Sequence, residues 1–586
     1  MLDRLAFPNP QQIRQEWLDL NGQWDCLLVE NENDYIMPPT ADQFDRQIQV
    51  PSSPTFPVSG LDLTTYYPVI WYRREFAADL QDQQRALLNF EAVDYECDIW
   101  LNGQHIGHHR GGHTPFTLDV TNWLMATNEL IVKVVDHNLT TQPIGKQSWK
   151  DQNFLCWYTR TIGIWQNVWL EFTGEHYVTS FTALPEIHRA SLNLDLELDA
   201  PAAVEVRATA RYAGQLITTA TVSVKNGRAK FALDVSDNQA NFRLHYWTPE
   251  TPDLYDLSLE VLDRGQVTDH IDSYFGMRGI ETRGHDILVN DQRIYQKLVL
   301  NQGYDRHNGL SAPVAGDAAD VDKIKEMGFN GHRLHQHVGS HRLLYLCDAK
   351  GLYTWAEMPS PFEFSPTMMA NFQAELPAFI AKHINHPAVI TYVLMNESWG
   401  VNEIAHQPAE QAFVDGLVDL TKAYDPTRLV IGNDGWEQVK TDVATVHDYD
   451  NDPDRLTASY PDLKTTYEGS PSQTSGRRTF CDGYQQQAVP FILSEYGGIA
   501  YEENAQANSW GYGDRIQSKT DVVAKIEALT QAVMAIPNCA GFCYTQLSDV
   551  EQEVNGLLDH DHRYKIDPEQ IHAIFTAEHQ TGFVFD

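Results

Sequence analysis

Short runs of alternating apolar and polar residues fill the first part of the chain. Three of them occupy 22–29, 70–76 and 97–101. Asn102-Gly103 follows the third run, and an Asn-Gly step between two such runs is a strong signal for a β-hairpin. Regularly spaced strands without helical periodicity predict a β-sandwich over residues 1–176.

The alternation becomes cleaner between residues 177 and 277. Runs such as 192–198 and 204–208 place apolar side chains on one face of a strand and polar side chains on the other. The segment is about 100 residues long, which is the size of one immunoglobulin-like sandwich. Because it holds few candidate catalytic residues, we expect 177–277 to be a second sandwich that keeps the flanking domains in register.

From residue 278 onward, apolar runs alternate with amphipathic stretches of helical period, such as 318–327 and 521–535. Eight runs have the length and composition of buried strands: 294–302, 328–335, 352–358, 389–397, 428–434, 443–449, 491–497 and 540–546. Eight strands joined by crossovers predict a (β/α)8 barrel over 278–586. The stretch 450–490, rich in Tyr, Pro, Ser and Gly, is predicted to be a long loop over the barrel mouth and not a helix.

The charge balance of the 586-residue chain narrows the class of ligand. Lys and Arg number 42 and Asp and Glu number 80, which gives a formal net charge of −38. A nucleic-acid-binding protein needs a basic surface, and an anionic membrane surface would repel this chain. We therefore expect no nucleic-acid partner and no membrane partner. A neutral ligand is favoured, since an acidic one would need local basic groups.

The N-terminal residues and the cysteines indicate a reducing compartment. The first 17 residues contain no long apolar segment and no small-residue cleavage site, and no apolar run of roughly 18 residues occurs in the chain. The seven cysteines are scattered and include no CxxC pair. The sequence therefore predicts a cytoplasmic protein with reduced cysteines.

In such barrels, functional side chains project from the C-terminal ends of the strands. The ends of the eight predicted strands carry these polar residues: Asn301, Gln302, Arg333, His335, Glu357, Asn396, Glu397, Asn433, Asp434, His447, Tyr449, Glu495, Tyr544 and Gln546. Two carboxylates, Glu397 and Glu495, close apolar runs at the fourth and seventh strands. The alternative is that both are ordinary ion-paired residues at strand ends.

Two carboxylates that face each other across a barrel mouth suit glycoside hydrolysis. One protonates the leaving oxygen and the other meets the developing oxocarbenium ion, so their environments must differ. Carboxyl groups about 5–5.5 Å apart indicate retention of configuration, and a gap of about 6.5–9.5 Å indicates inversion through a water. Nearby, Glu357 is predicted to pair with Arg333 or bind a sugar hydroxyl, and His447 to donate to a hydroxyl or cap its strand.

Several motifs resemble those of glycoside hydrolase family 2, the β-galactosidase, β-glucuronidase and β-mannosidase family. Residues 385–400, which contain Met395-Asn396-Glu397-Ser398-Trp399-Gly400, are similar to its acid/base signature. Ser494-Glu495-Tyr496-Gly497-Gly498 resembles its nucleophile motif. Residues 101–116 and 163–171 are similar to its N-terminal sugar-binding-like sandwich. The resemblance implies a jelly-roll sandwich, an immunoglobulin-like sandwich and a C-terminal catalytic barrel.

The resemblance also implies a role for each matching residue. Glu397 would be the general acid/base and Glu495 the nucleophile of a double displacement with net retention. Asn396 would hydrogen-bond the 2-hydroxyl of the sugar, and Tyr449 would hydrogen-bond the nucleophile. Arg333 would help to hold Glu495 ionised.

Other positions depart from the family's pattern. Tyr544 stands where a tryptophan is expected under the sugar. Glucuronidases of the family grip the substrate carboxylate with an Asn-x-Lys pair, and here Leu557 stands in place of that lysine. Arg563 and Lys565 are the cations that could substitute for it.

Two further residues are candidates for sugar contacts. Members commonly have Arg-Thr-Ser-His-Tyr-Pro where residues 333–338 read Arg-Leu-His-Gln-His-Val, so the contacts of His335 stay open. Trp510, in Trp510-Gly511-Tyr512-Gly513, is either a wall of the sugar site or a packing residue of the barrel rim.

These observations together predict an exo-acting retaining β-glycosidase that acts on terminal β-galactosides. It is expected to use no cofactor and no metal, to bind an oligosaccharide or glycoside, and to form a homo-oligomer. A β-glucuronidase or other β-uronidase of the same family is the alternative enzyme. A non-catalytic carbohydrate-binding protein is the alternative from another class, and the presence of both carboxylates disfavours it.

Overall fold

A computed structural model describes residues 2–577 apart from 32, 201–203, 239–240, 473, 486–487, 502–507 and 514. Its N-terminal part is a β-sandwich with the following strands: β1 (Trp17–Asp19), β2 (Gly22–Val29), β3 (Arg46–Val50), β4 (Val69–Ala77), β5 (Arg85–Phe90), β6 (Val93–Asp94), β7 (Glu96–Leu101), β8 (Gln104–Arg110), β9 (Phe116–Asp119), β10 (Thr127–Val135), β11 (Gly163–Ile164) and β12 (Val168–Thr173). Sheets of order β1-β12-β5-β9 and β3-β2-β4-β10-β7-β8 form the two layers, and β6 pairs with β11. Alternating apolar side chains, among them the fully buried Trp24 and Tyr72, fill the space between the layers.

The second part is a smaller sandwich with its own core. Its strands are β13 (Tyr177–Glu186), β14 (Ser191–Asp199), β15 (Glu205–Tyr212), β16 (Gln215–Ser223), β17 (Arg228–Asp234), β18 (Tyr255–Asp263) and β19 (Gln266–Phe275). They form sheets of order β13-β14-β17 and β16-β15-β18-β19. Along β14, Leu192, Leu194 and Leu196 point into the core while the residues between them face outward, as the alternation predicts. The immunoglobulin-like sandwich predicted here is confirmed.

Three short strands, β20 (Ile280–Arg283), β21 (Asp286–Val289) and β22 (Gln292–Arg293), lead into the barrel. The barrel strands are β23 (Gln296–Asn301), β24 (Gly331–Leu334), β25 (Tyr353–Glu357), β26 (Val389–Asn396), β27 (Leu429–Asp434), β28 (Ala444–His447), β29 (Phe491–Gly497) and β30 (Cys539–Thr545). Each lies within one residue of a predicted run or inside it. They are parallel, in the order β27-β26-β25-β24-β23-β30-β29-β28, and β27 contacts β28 to close the ring. The predicted (β/α)8 barrel is therefore confirmed.

Helices surround the barrel and bury one apolar face each against it. They are α1 (Val314–Glu326), α2 (His341–Lys350), α3 (Pro366–His383), α4 (Pro408–Tyr424), α5 (Pro453–Ala458), α6 (Leu463–Glu468), α7 (Lys519–Met534) and α8 (Pro568–Phe575). None of the helices among the described residues is long and apolar enough to cross a membrane. The seven cysteines are free.

The segment 450–490 differs from the uninterrupted loop that its composition predicts, because it contains α5 and α6. Asp452 caps α5 by accepting hydrogen bonds from the amides of Asp454 and Arg455, and Asp462 caps α6 in the same way. A side chain that accepts from the first free amides stabilises even a short helix. The prediction of a loop without helices was therefore wrong.

Candidate active site

The turn after β26 presents Glu397 to the barrel mouth. Glu397 and Ser398 adopt left-handed backbone conformations, with φ of 53° and 59°. This conformation is unfavourable for residues other than glycine, so the surroundings must hold it. The Glu397 amide donates to the carbonyl of Asp434 at 2.9 Å, and the Ser398 amide donates to Oδ1 of Asn433 at 3.0 Å.

Glu495 lies on β29 at an irregularity in its pairing with β28. Its Oε1 is 3.1 Å from Nη1 of Arg333, and its Oε2 accepts a hydrogen bond from the hydroxyl of Tyr449. The side chain is almost completely buried. Both partners stabilise a negative charge on this carboxylate.

Arg333, on β24, is a fully buried cation with three carboxylate partners. Besides Glu495, its guanidinium contacts Glu357 at 2.7 Å and Asp434 at 2.8 Å. Burial by itself raises the pKa of Glu357, but Arg333 and His335 outweigh it and lower that pKa to about 2. The geometry agrees with the ion pair predicted between Glu357 and Arg333.

His447, at the end of β28, connects the two glutamates. Its Nδ1 is 2.8 Å from Oε1 of Glu397, and its Nε2 is 3.1 Å from Asp434 and 3.4 Å from Oε1 of Glu495. Burial lowers the pKa of His447, but Glu495, Asp434 and Glu397 outweigh burial and raise it to about 10. The imidazole is therefore a cation at neutral pH, and both of its ring nitrogens face carboxylates.

Donor atoms of Glu397, His447 and Glu495 all lie within 4.8 Å of one another. Three such groups at this spacing could also hold a metal ion if His447 gave up its proton. The charged His447 supplies the positive charge between the two carboxylates. An oxygen of Glu397 thus lies less than 5 Å from an oxygen of Glu495.

A cavity of about 700 Å³ opens above Glu397. Tyr449 and Tyr512 stack face to face in its wall, with ring centres 3.4 Å apart, and Trp436 lines the same space. Asn396 lies next to Glu397 at the end of β26 and is buried. Its Oδ1 accepts from Arg333 at 3.3 Å, and its Nδ2 has no hydrogen-bond partner among the described residues.

A segment of the N-terminal sandwich packs against the barrel next to the site, which the sequence did not predict. Trp157, in the segment 144–158 between β10 and β11, packs against Trp399 of the barrel with ring centres 5.5 Å apart. Lys146 of the same segment lies with Nζ 4.8 Å from the centre of the Trp399 ring. The one available signal was the density of aromatic residues between 149 and 158.

Two of the remaining predicted residues, His335 and Trp510, lie close to the site but differ in what they contact. Nδ1 of His335 is 2.9 Å from Glu357, and burial lowers the pKa of His335, so its ring is neutral. The Trp510 indole donates to the carbonyl of Leu155 at 2.9 Å, and its ring packs edge-on against Tyr512. Trp510 therefore supports the Tyr512 wall and borders a neighbouring cavity.

Tyr544 does not form a platform under the sugar, contrary to the sequence-based expectation. Its buried ring packs against Tyr496 and against Phe575 of α8, outside the barrel. Neighbouring residues of a strand point to opposite faces, so Thr545 and not Tyr544 reaches the interior, where its hydroxyl lies 3.2 Å from that of Tyr449.

The two cations proposed to replace the missing lysine are also engaged elsewhere. Lys565 is bound to Asp549 at 2.7 Å and to the carbonyl of Val554, and Arg563 pairs with Asp561 on the surface. The structure therefore contradicts the suggestion that Lys565 or Arg563 grips a substrate carboxylate.

The barrel and its two facing glutamates have the architecture of the (β/α)8-barrel glycoside hydrolases. Three domain models of one family match consecutive parts of the chain: the sugar binding domain of glycosyl hydrolases family 2 over residues 5–173, the domain described as glycosyl hydrolases family 2 over 176–278, and the family's TIM barrel domain over 280–512. The chain belongs to glycosyl hydrolase family 2.

Relatives of the chain carry two kinds of name. A putative beta-glucuronidase of Formosa agariphila is 26% identical over 466 residues, which cover 76% of this chain and 52% of the relative. A beta-galactosidase large subunit of Leuconostoc lactis is 27% identical over 60% of this chain and 56% of the relative. The chain thus matches little more than half the length of these two relatives.

Solved structures share the fold over almost the whole chain. A Bifidobacterium dentium beta-glucuronidase complexed with coumarin-3-O-glucuronide has a TM-score of 0.78 at 20% identity and covers 97% of both chains. A GH2 beta-galacturonidase from Eisenbergiella tayi bound to galacturonate has a TM-score of 0.75 at 18% identity, covering 96% of this chain and 98% of that one.

Proposed function

We propose that this chain is an exo-acting retaining β-glycosidase. The observation that carries the proposal is the spacing of Glu397 and Glu495, whose oxygens approach within 4.8 Å. That spacing suits direct attack by one carboxylate on the anomeric carbon and leaves no room for the water that an inverting mechanism places between substrate and base. Segment 144–158 of the N-terminal sandwich packs against Trp399 beside Glu397, and this crowding next to the site favours a terminal sugar.

Glu495 is the nucleophile in this proposal. Its carboxylate is held by Arg333 and Tyr449, which fix its position and stabilise its charge before attack. It attacks the anomeric carbon while the bond to the leaving oxygen breaks, which gives a covalent glycosyl-enzyme. Water then attacks the same carbon, releases Glu495 and restores the original configuration.

Glu397 is the general acid and then the general base. Burial raises the pKa of Glu397, but its hydrogen bond to the charged His447, together with the charge of Lys146, outweighs burial and lowers it. In the free enzyme the proton therefore resides on Nδ1 of His447, 2.8 Å from Oε1 of Glu397. It passes to Glu397 and from there to the leaving oxygen, and Glu397 later accepts a proton from the attacking water.

The terminal sugar has two candidates, a β-galactoside, as expected from the sequence, and a β-uronide. The absence of the Asn-x-Lys pair favours the galactoside, and the buried cation Lys146 favours the uronide. Rates on the 4-nitrophenyl β-D-galactoside, β-D-glucuronide, β-D-galacturonide and β-D-mannoside and α-L-arabinopyranoside identify the sugar.

Proton NMR of the first-formed product on the best of these substrates tests the mechanism. The anomer with the same configuration as the substrate must appear first and mutarotate afterwards. First appearance of the α-anomer from a β-glycoside would contradict the assignment of Glu495 as nucleophile. The expected homo-oligomer stays a prediction, which light scattering of the purified chain checks.

A further inference from the structure

The turn that carries Glu397 has a second support in Glu437. The hydroxyl of Ser398 donates to Oε2 of Glu437 at 2.9 Å and accepts from Nδ2 of Asn433 at 3.1 Å. Ser398 and Glu437 are both buried, and both adopt left-handed backbone conformations, with φ of 59° and 48°. Because this conformation is unfavourable for residues other than glycine, contacts with the surroundings must stabilise it at both positions.

Arg477 binds the same carboxylate oxygen of Glu437. Its Nη1 donates to Oε2 at 2.7 Å, and its guanidinium lies over the ring of Trp436, 5.4 Å from the ring centre. A guanidinium that contacts both a carboxylate and an aromatic face is restricted in its orientation. A continuous series of contacts therefore leads from Arg477 through Glu437 to Ser398, the residue next to Glu397.

The backbone of segment 474–481 is fixed to the same place. The amide of Glu437 donates to the carbonyl of Arg478 at 2.7 Å, and the amide of Gln438 donates to the carbonyl of Thr479 at 2.9 Å. The side chain of Arg478 pairs with Asp482, and both of these side chains are exposed. Arg477 and Arg478 are thus neighbours of equal charge, the first bound to Glu437 and the second bound to Asp482.

The position of the Glu397 backbone matters in both steps of the reaction. The carboxyl group must lie within hydrogen-bond reach of the leaving oxygen as an acid and of the attacking water as a base. A misplacement of about 1 Å can cost about 100-fold in rate. His447 contacts the carboxylate itself at 2.8 Å, whereas Ser398 and Glu437 hold the backbone from which that carboxylate extends.

We propose that Glu437 is a positioning residue for the acid/base, which holds the Glu397 turn through Ser398 and is itself fixed by Arg477. The inference rests on the proposed glycosidase function and adds to it the support of its general acid. Loss of this support impairs protonation of the leaving oxygen and leaves the attack of Glu495 in place. Segment 474–481 contributes to catalysis in this way without touching the reacting atoms.

The substitution Ser398→Ala tests the proposal because it removes the hydroxyl that joins the turn to Glu437. We expect kcat/KM for phenyl β-D-galactoside and phenyl β-D-glucuronide to fall by at least about tenfold, as for loss of a hydrogen bond to a charged group. For the matching 2,4-dinitrophenyl glycosides the loss should be less than about threefold, because their leaving group departs without a proton. A smaller amount of folded enzyme lowers both rates alike, so equal losses on the two kinds of substrate would overturn the inference.

A double-mutant cycle tests whether Ser398 and Glu437 act through one contact. Glu437→Ala should lower kcat/KM for the phenyl glycosides by a similar factor. Ser398→Ala combined with Glu437→Ala should then be no slower than the slower single variant, because each substitution removes the same hydrogen bond. Losses that multiply in the double variant would overturn the inference.

The two neighbouring arginines provide a matched pair of variants. Arg477→Met should lower kcat/KM for the phenyl glycosides by about two- to fivefold, as for a partly exposed ion pair. Arg478→Met removes the same charge from the same segment and should leave the rate unchanged, because its partner is Asp482 on the surface. Equal effects of the two substitutions would overturn the role of Arg477.

Glu397→Gln, assayed on the same substrates, separates this inference from the proposed function. If Glu397→Gln loses activity on the phenyl glycosides selectively and Ser398→Ala does not, only the role of Glu437 fails. If Glu397→Gln hydrolyses the phenyl glycosides at the unmutated rate, the proposed function itself fails.

Discussion

The proton relay from His447 to Glu397 makes a specific prediction for the variant His447→Gln. Glutamine keeps a hydrogen-bond donor near Oε1 of Glu397 but cannot carry the proton that Nδ1 holds at 2.8 Å. A charged hydrogen bond of this kind is worth about 1.5–3 kcal/mol, which corresponds to a loss of about 10–150-fold in kcat/KM at neutral pH. The loss should be smaller for substrates whose leaving group departs without protonation.

The pH dependence separates this relay from a structural role. In the unmutated chain, kcat/KM should fall at alkaline pH when the proton shared by His447 and Glu397 is lost. Since the pKa of His447 is about 10, this fall, the alkaline limb, is expected near pH 10. In His447→Gln the proton can reside only on Glu397, so the limb should move down by several pH units, and activity should recover in acid.

Rates measured from about pH 4 to pH 10.5 with a nitrophenyl and a methyl glycoside provide the assay. His335→Gln is the control, because His335 is a buried but neutral imidazole of the same site. That variant should leave the alkaline limb where it is. An unmoved limb in His447→Gln, with a loss equal at every pH, would refute the relay.

Further predictions concern the two glutamates and two buried ionisable groups. Glu397→Gln should lose most of its activity on substrates with poor leaving groups but keep its activity on activated aryl glycosides. Glu495→Gln should lose its activity on both kinds of substrate. Steady-state rates on the two substrate types check this. Arg333→Met leaves three buried carboxylates without their cation and should cost about 3–5 kcal/mol of unfolding free energy in urea. Burial raises the pKa of Glu375 from 4.5 to about 8. The unfolded chain therefore loses this proton at lower pH than the folded chain does, and the free energy of unfolding falls as pH rises from 4.5 to 8. In Glu375→Gln the free energy of unfolding should therefore fall by about 3 kcal/mol less between pH 6 and pH 9 than in the unmutated chain. Denaturant titrations at several pH values measure this difference, and an equal fall in both proteins would contradict the prediction.

The barrel and its strand ends could be predicted because the information is local. A buried parallel strand is a short apolar run, and its C-terminal end faces the mouth of a barrel wherever the rest of the chain lies. Arg333, Glu397 and Glu495 follow from that rule. The helix α5 was also within reach, since Asp452 followed by Pro453 is a typical start of a helix.

The packing of Lys146 and Trp157 against Trp399 could not be predicted in the same way. It depends on contact between residues about 190 or more positions apart, such as Gly145 against Gln336. Tyr544 shows a second limit, because a shift of one residue along a strand exchanges the inner and outer faces. The partners of His447 likewise come from three strands, so the charge of its imidazole is a property of the assembled site.

Trapping of the covalent glycosyl-enzyme identifies the nucleophile directly. The chain is incubated with 2-deoxy-2-fluoro-β-glycosyl fluorides of both the uronic acid and the neutral sugar, which slow the second step more than the first, and is then digested and analysed by mass spectrometry. We predict a sugar label on the peptide that contains Glu495, with the ester at that residue. A label on Glu397, or on any other residue, would contradict the assignment of Glu495 as the nucleophile.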